Sequence, residues 1–346
     1  MATITAGLKD SPRLNPAAVQ AGVRATLEAI YEPILTELGR VERLIRDTLD
    51  SDSDFIAELV KRVQLYGGKR MRPAMLLLAA KACGAVTPDH DRLASCIELI
   101  HVATLVHDDV LDDADKRRHV ATVNAEWGNE ASLLLGDFLF THAFQLAASA
   151  SSMDACRMLG RSTNRLCAGE LHQVSRRGRF DLSETEYLEV LTGKTAELFA
   201  CACAIGARYA GAPPAWESAL TEYGRNLGVA FQIADDVIDL LGEEAVVGKP
   251  VGSDLRKQKM TLPLIRLRDT ADQETVERLR RRFDDPEASS GEPIIEVLRG
   301  TDALEYTHRR GLEFLKAAAD ALAVVPDSPS RQSLLKLKDF ALSRTA

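Results

Sequence analysis

The chain has 346 residues, 46% hydrophobic and 27% charged, a composition able to bury a sizeable core. Its formal net charge of -8 argues against a nucleic-acid binder, which needs a basic surface to neutralise phosphates. Any anionic ligand must be held by local cations or by metal ions.

The first sixteen residues, MATITAGLKDSPRLNP, are polar and broken by Pro12, Asn15 and Pro16, which predicts a loose arm over 1–16. They have neither a basic start nor an apolar run, so they do not read as a secretory signal. From Ala17 to Asp47 apolar residues recur at helical spacing, with Pro33 as a kink or boundary. Further helical stretches follow: PAMLLLAAKAC, RLASCIELIHVATLVHDDV, EASLLLGDFLFTHAFQLAASA and EYLEVLTGKTAELFACACAIGARYA. Several are apolar around most of the helical wheel, as helices inside a large bundle are. Strand alternation is nearly absent. The reading is all-α, one helical domain over 17–346. No segment reaches the ~20 apolar residues of a membrane span, so membrane contact is expected to be peripheral at most. Cys83, Cys96, Cys156, Cys167, Cys201 and Cys203 lie in apolar contexts without CxxC pairing and read as buried reduced thiols, which fits a cytoplasmic protein.

One acidic pattern occurs twice. Asp108, Asp109 and Asp112 form DDxxD inside HDDVLDDAD, and Asp235, Asp236 and Asp239 form it inside FQIADDVIDLL. On a helix the first and last carboxylates of each set fall ~40° apart, on one face. Like charges one turn apart in apolar surroundings need a cation, and hard oxygen donors favour Mg2+ completed by phosphate oxygens.

Basic residues are placed to complete such a site. YGGKRMRP supplies Lys69, Arg70 and Arg72 after a glycine pair and before the helix that Pro73 can start. Arg117 and Arg118 follow the first acidic set, and guanidinium forks suit phosphate, although a solvated basic turn has the same sequence. Lys194 interrupts LEVLTGKTAELFACACA, where a lone lysine needs an anion opposite; Thr195 beside it could also bond back into its own helix. GEEAVVGKPVGSDLRKQKMTLPLI, with Lys249, Asp254, Lys257 and Lys259, has the composition of a mobile lid or of an ordinary surface loop. His101 stands two helical turns before Asp108.

In this order GGKRMRP, DDVLD followed by RR, GELHQ, GKTAELF, FQIADDVID and GKPVGSDLRKQK resemble the trans-type isoprenyl diphosphate synthases, or polyprenyl synthetases, from about Tyr66 to Leu264. The resemblance implies a helical bundle around a central cavity, usually a homodimer, whose two acidic motifs face each other across three Mg2+ ions. It makes Asp108 and Asp112 ligands of two metals and Asp235 of the third, with Asp239 nearby and Asp109, Asp236 and Asp254 outside them. It assigns Arg117, Lys194, Lys249 and Lys259 to an allylic diphosphate, and Lys69, Arg72, His101 and Arg118 to isopentenyl diphosphate. Thr195 and Gln232 are similar to residues whose oxygens face a carbocation, while Glu170 and Gln173 match a supporting motif.

The implied reaction is ionisation, condensation and loss of a proton. Ala103 and Thr104 precede the first motif where bulky residues in the family resemble a floor that ends growth. Both are small, so a product of twenty carbons or more is expected, with Met158 and Leu159 as a deeper floor. A short-chain synthase, a class I terpene cyclase, a silent regulatory subunit and a helical scaffold are the rival readings.

Overall fold

The computed structural model describes residues 16–241, 252–285 and 294–343. Pro33 marks a boundary: a 3-10 turn, Glu32–Ile34, separates α1 (Pro16–Tyr31) from α2 (Leu35–Thr48). Next come α3 (Asp54–Leu65), α4 (Met71–Cys83), α5 (Pro88–Leu111), α6 (Val123–Ala148) and α7 (Asp154–Ser175). A π-turn at Thr192–Ala196 joins α8 (Glu184–Leu191) to α9 (Glu197–Tyr209). Then follow α10 (Pro214–Leu241), α11 (Ser253–Arg256), α12 (Leu262–Thr270), α13 (Gln273–Asp284), α14 (Ile294–Arg299), α15 (Ala303–Ala321) and α16 (Pro329–Ser343). The fold is all-α.

Local chemistry starts several of these helices. Ser183 and Glu186 form a reciprocal capping box at α8, with Ser183 N donating to Glu186 Oε2 at 3.0 Å and Glu186 N to Ser183 Oγ at 3.2 Å. Asp272 accepts from Thr275 N at 2.9 Å at the start of α13. The apolar helices lie at the centre: ten of thirteen residues are buried in α4 and eleven of thirteen in α9. Gly224 lets α10 approach α9, because a Cβ there would stand 2.6 Å from Phe199 O.

Buried side chains form two clusters, a larger one around α4, α5, α9 and α10 and a smaller one under α8 and α12–α15. Helix α10 contributes to both, with Leu220 and Tyr223 in the first and Ile233 and Leu240 in the second. It thereby carries the second acidic motif between them.

Some expectations change. Lys116–Arg117 pairs antiparallel with Val120–Ala121 through Arg118 and His119, both at positive φ (50° and 69°). Such two-residue hairpins normally use Asn or Gly, so this one carried no strand signal. Two helical runs do have the length and apolar content of a membrane span, Val123–Ala148 and Glu184–Tyr209. The second buries 83% of its apolar window inside the protein, as a core helix does. Cys167 is exposed rather than buried.

Candidate active site

A cavity of about 1230 Å³ is lined by the loop before α4, by α5, the hairpin, α7, the π-turn and α10. Helix α5 presents His101, Thr104, Leu105, Asp108 and Leu111 to it, positions that recur at helical spacing on one side. Asp235 lies on the same cavity from α10.

The carboxylates of the first motif separate. Asp108 Oδ2 is 3.7 Å from Lys194 Nζ, which also lies 2.5 Å from Glu170 Oε2. Burial alone would depress the Lys194 ammonium, but Asp108 and Glu170 outweigh it and raise its pKa. Asp109 is 1% exposed and turns to Arg117, accepting from Nε at 2.9 Å with Nη2 at 2.8 Å. Burial raises the Asp109 pKa against the pull of Arg117. Asp112, at the end of α5, meets Lys257 Nζ at 3.1 Å, Arg177 Nη2 at 3.4 Å and Lys259 Nζ at 3.6 Å. Burial works against ionisation of Asp112, yet the two lysines hold its pKa below the usual carboxylate range.

The second motif separates too. Asp236 is buried and accepts from Tyr187 OH at 2.6 Å and from Gln232 Nε2 at 2.9 Å. Burial, with Asp254 close by, pushes its pKa up to about 7. Asp239 departs from expectation. It is 1% exposed, does not line the cavity, and accepts from Ser253 Oγ at 2.7 Å and Asp254 N at 2.9 Å. Its two oxygens pin the segment after residue 251, and Leu255 and Met260 are buried there, so the described part of the expected lid is packed down. Lys249 lies outside the described residues.

Cations gather on another wall. Arg72 lies over the Phe199 ring, 4.3 Å from its centroid, with Nε buried and lacking a hydrogen-bond partner; burial pulls its pKa down to about 10. Arg118 donates to Tyr66 O at 3.1 Å and to Gly67 O at 2.5 Å, and burial together with Arg117 lowers its pKa. Lys69 Nζ is 5.3 Å from the Phe340 ring centroid. Burial and the surrounding arginines 72, 118, 117 and 70 push the His101 pKa well below the usual imidazole range, leaving it neutral. Arg70 has a different use: it binds Glu98 Oε1 at 2.7 Å and Glu42 Oε1 at 2.5 Å. Helix α4 begins at Met71, two residues before Pro73, so Arg72 sits in its first turn.

Thr195 Oγ1 donates to Gln232 Oε1 at 2.9 Å, and both residues line the cavity. The π-turn puts Lys194 and Thr195 there, and it fits only because α7 has Gly169 opposite: a Cβ on Gly169 would stand 2.5 Å from Lys194 N.

The expected length-setting residues divide. Thr104 lines the cavity and donates to His101 O at 2.7 Å, whereas Ala103 is fully buried in the core and does not line it. Neither Met158 nor Leu159 reaches the cavity; Leu139, Phe140 and Leu166 do. His107, stacked on Phe140 with centroids 6.0 Å apart, was not foreseen as a wall of this cavity. Nor were Tyr187, Arg177 and Lys257 as partners of the acidic motifs. Tyr187 could have been found, since it precedes Lys194 by two turns of one helical stretch.

Residues 53–297 match the sequence profile of the polyprenyl synthetase family. The chain belongs to that family. The octaprenyl diphosphate synthase of Escherichia coli (strain K12) is 38% identical over 322 residues, 92% of this chain and 99% of that protein. The geranyl-diphosphate-specific all-trans-nonaprenyl-diphosphate synthase of Rhodobacter capsulatus is 36% identical over 316 residues, 91% and 97% of the two chains. A polyprenyl synthase from Caulobacter crescentus CB15, solved with calcium and isoprenyl diphosphate, superposes with a TM-score of 0.88 at 38% identity, covering 92% of this chain and 98% of that one. As a polyprenyl synthetase family member the chain is a prenyltransferase.

Asp108 and Asp235 bring carboxylate oxygens to the cavity of this polyprenyl synthetase, while Asp112 does not line it and stands against Lys257, Arg177 and Lys259. Among the described residues no three Asp, Glu, His or Cys side chains converge as a ready-made metal cage. That donor set fits an ion held by one or two carboxylates and completed by phosphate oxygens.

Proposed function

We propose that the chain is a Mg2+-dependent trans-prenyltransferase that condenses an allylic diphosphate with isopentenyl diphosphate, repeating the step to a product of at least twenty carbons. One observation carries the reading: a single cavity has two differently built charge clusters. In the first, Asp108 and Asp235 line the cavity with Lys194, whose Nζ is 3.7 Å from Asp108; in the second, Arg72 and Arg118 act on a neutral His101, and Lys69 lines the same cavity.

In this reading Asp108, Asp112 and Asp235 hold the divalent ions, three of them, against the allylic diphosphate. Bound there, Mg2+ supplies the Lewis acidity that offsets charge on the leaving diphosphate. Lys194, Arg117 and Lys259 contribute charge-assisted hydrogen bonds to the same group. The C–O bond breaks, its electron pair leaves on diphosphate, and the allylic carbon becomes a delocalised cation faced by the oxygens of Thr195 and Gln232. Lys69, Arg72, Arg118 and His101 hold isopentenyl diphosphate so that its double bond attacks that carbon. The tertiary cation so formed loses a proton to the released diphosphate. No side chain acts as a nucleophile, and the site must exclude water, which would trap the cation as an alcohol.

The octaprenyl and nonaprenyl relatives support a long product. Exposed Leu133, Leu134 and Phe144 on α6 and Leu171 and Val174 on α7 support a homodimer. The six free cysteines support a reducing compartment, the cytoplasm.

The test is an assay of the purified chain with Mg2+, isopentenyl diphosphate and several allylic primers, products being resolved by length. Elongation past fifteen carbons is expected. Turnover without isopentenyl diphosphate would mark a terpene cyclase, products ending at fifteen carbons a short-chain synthase, and no turnover by the chain alone a regulatory subunit.

A further inference from the structure

Tyr187 lies outside the cavity on α8 and is 4% exposed. Its hydroxyl donates to Asp236 Oδ2 at 2.6 Å, Gln232 Nε2 donates to Asp236 Oδ1 at 2.9 Å, and Thr195 Oγ1 donates to Gln232 Oε1 at 2.9 Å. One line of hydrogen bonds thus joins α8, α10 and the π-turn.

The direction of every bond in the line follows from what each group can do. Asp236 takes the Tyr187 hydroxyl on Oδ2 and the Gln232 NH2 group on Oδ1, so the Gln232 amide turns its oxygen to Thr195. That oxygen only accepts, so it takes the single hydroxyl proton of Thr195. The groups left at the cavity wall are lone pairs on two oxygens. With the amide reversed, N–H groups would meet a developing cation and the local electrostatic effect would change sign. Burial above all, with Asp236 beside it, raises the Tyr187 pKa far above the usual phenol range, so its proton stays on oxygen and available to Asp236.

We infer that Tyr187 is a positioning residue for the reaction: with Asp236 it sets the polarity of the Gln232 amide and, through it, the hydroxyl of Thr195. The inference rests on the prenyltransferase reading above and adds a residue that touches no substrate. A phenylalanine would fill the same space, but it would leave one Asp236 oxygen without its donor and free the carboxylate to rotate away from Gln232.

Tyr187→Phe removes one oxygen and keeps the ring. The expected result is a kcat about tenfold lower with KM for both diphosphates nearly unchanged, because the interaction acts on the cation and not on the bound ground state. In a double-mutant cycle, Tyr187→Phe with Thr195→Val should be no slower than Thr195→Val alone, since both changes disable the same acceptor pair. Tyr187→His, which returns a ring N–H donor, should recover part of the rate, and it carries the same cycle if the Phe variant does not fold. Wild-type elongation in the same assay tests the prenyltransferase reading by itself. With the wild type active, an unchanged kcat in Tyr187→Phe, losses that multiply in the cycle, or an effect confined to KM would overturn the positioning role.

Discussion

Burying the Arg72 guanidinium with Nε unpartnered and Arg118 nearby costs free energy that Glu98, Asp235 and the Phe199 ring only partly offset. Arg72→Met should therefore raise the Tm of the ligand-free protein while raising KM for isopentenyl diphosphate more than roughly tenfold; a lower Tm with an unchanged KM would contradict the assignment. His101 gives a pH dependence. Its folded pKa is depressed, so below its unfolded value of ~6.5 the unfolded chain binds a proton that the native state does not. Its contribution to stability is lost as pH falls through that window, by up to about 1.4 kcal/mol per pH unit. Between pH 7 and pH 5 the Tm of His101→Gln should fall less steeply than that of the wild type, and parallel slopes would show that His101 does not carry the effect.

Helix α5 separates two neighbouring residues by function. Thr104 faces the cavity and Ala103 the core, so Thr104→Phe should shorten the product with little loss of stability. Ala103→Phe should instead overpack the core and destabilise by about 1–3 kcal/mol. Product lengths and melting curves of the two variants check this, and the reverse pattern would sink it. This difference was open to the sequence and misread: five residues before Asp108 is ~500° around the helix, ~140° off its face. The helices themselves were legible, because apolar spacing and caps are local signals, as was the paired acidic motif. The fate of Asp239 was not, since only tertiary packing brings Ser253 and Asp254 against it. The π-turn was hidden as well, because one extra residue per turn over so short a span barely disturbs the hydrophobic pattern. Arg118 and His119 concealed the hairpin by taking left-handed backbone without glycine.

Over the whole molecule, a net charge of -8 surrounds a cavity with concentrated positive charge on one wall. Mg2+ with diphosphate should couple these opposites and stabilise the native state, by ~2.7 kcal/mol at a hundred times the dissociation constant. A thermal melt with Mg2+ alone, diphosphate alone and both should show the largest rise with both; a rise no greater than the sum of the two separate effects would argue against joint binding. The unpartnered Arg72 Nε then acquires a meaning for the protein's lifetime. A chain that keeps a partly desolvated cation in its substrate pocket is least stable when its substrate is scarce, and proteolysis draws on the opened population. Enzyme abundance should therefore rise and fall with the supply of isopentenyl diphosphate, with no separate regulator, and Arg72→Met should gain less protease resistance from a given concentration of it than the wild type does.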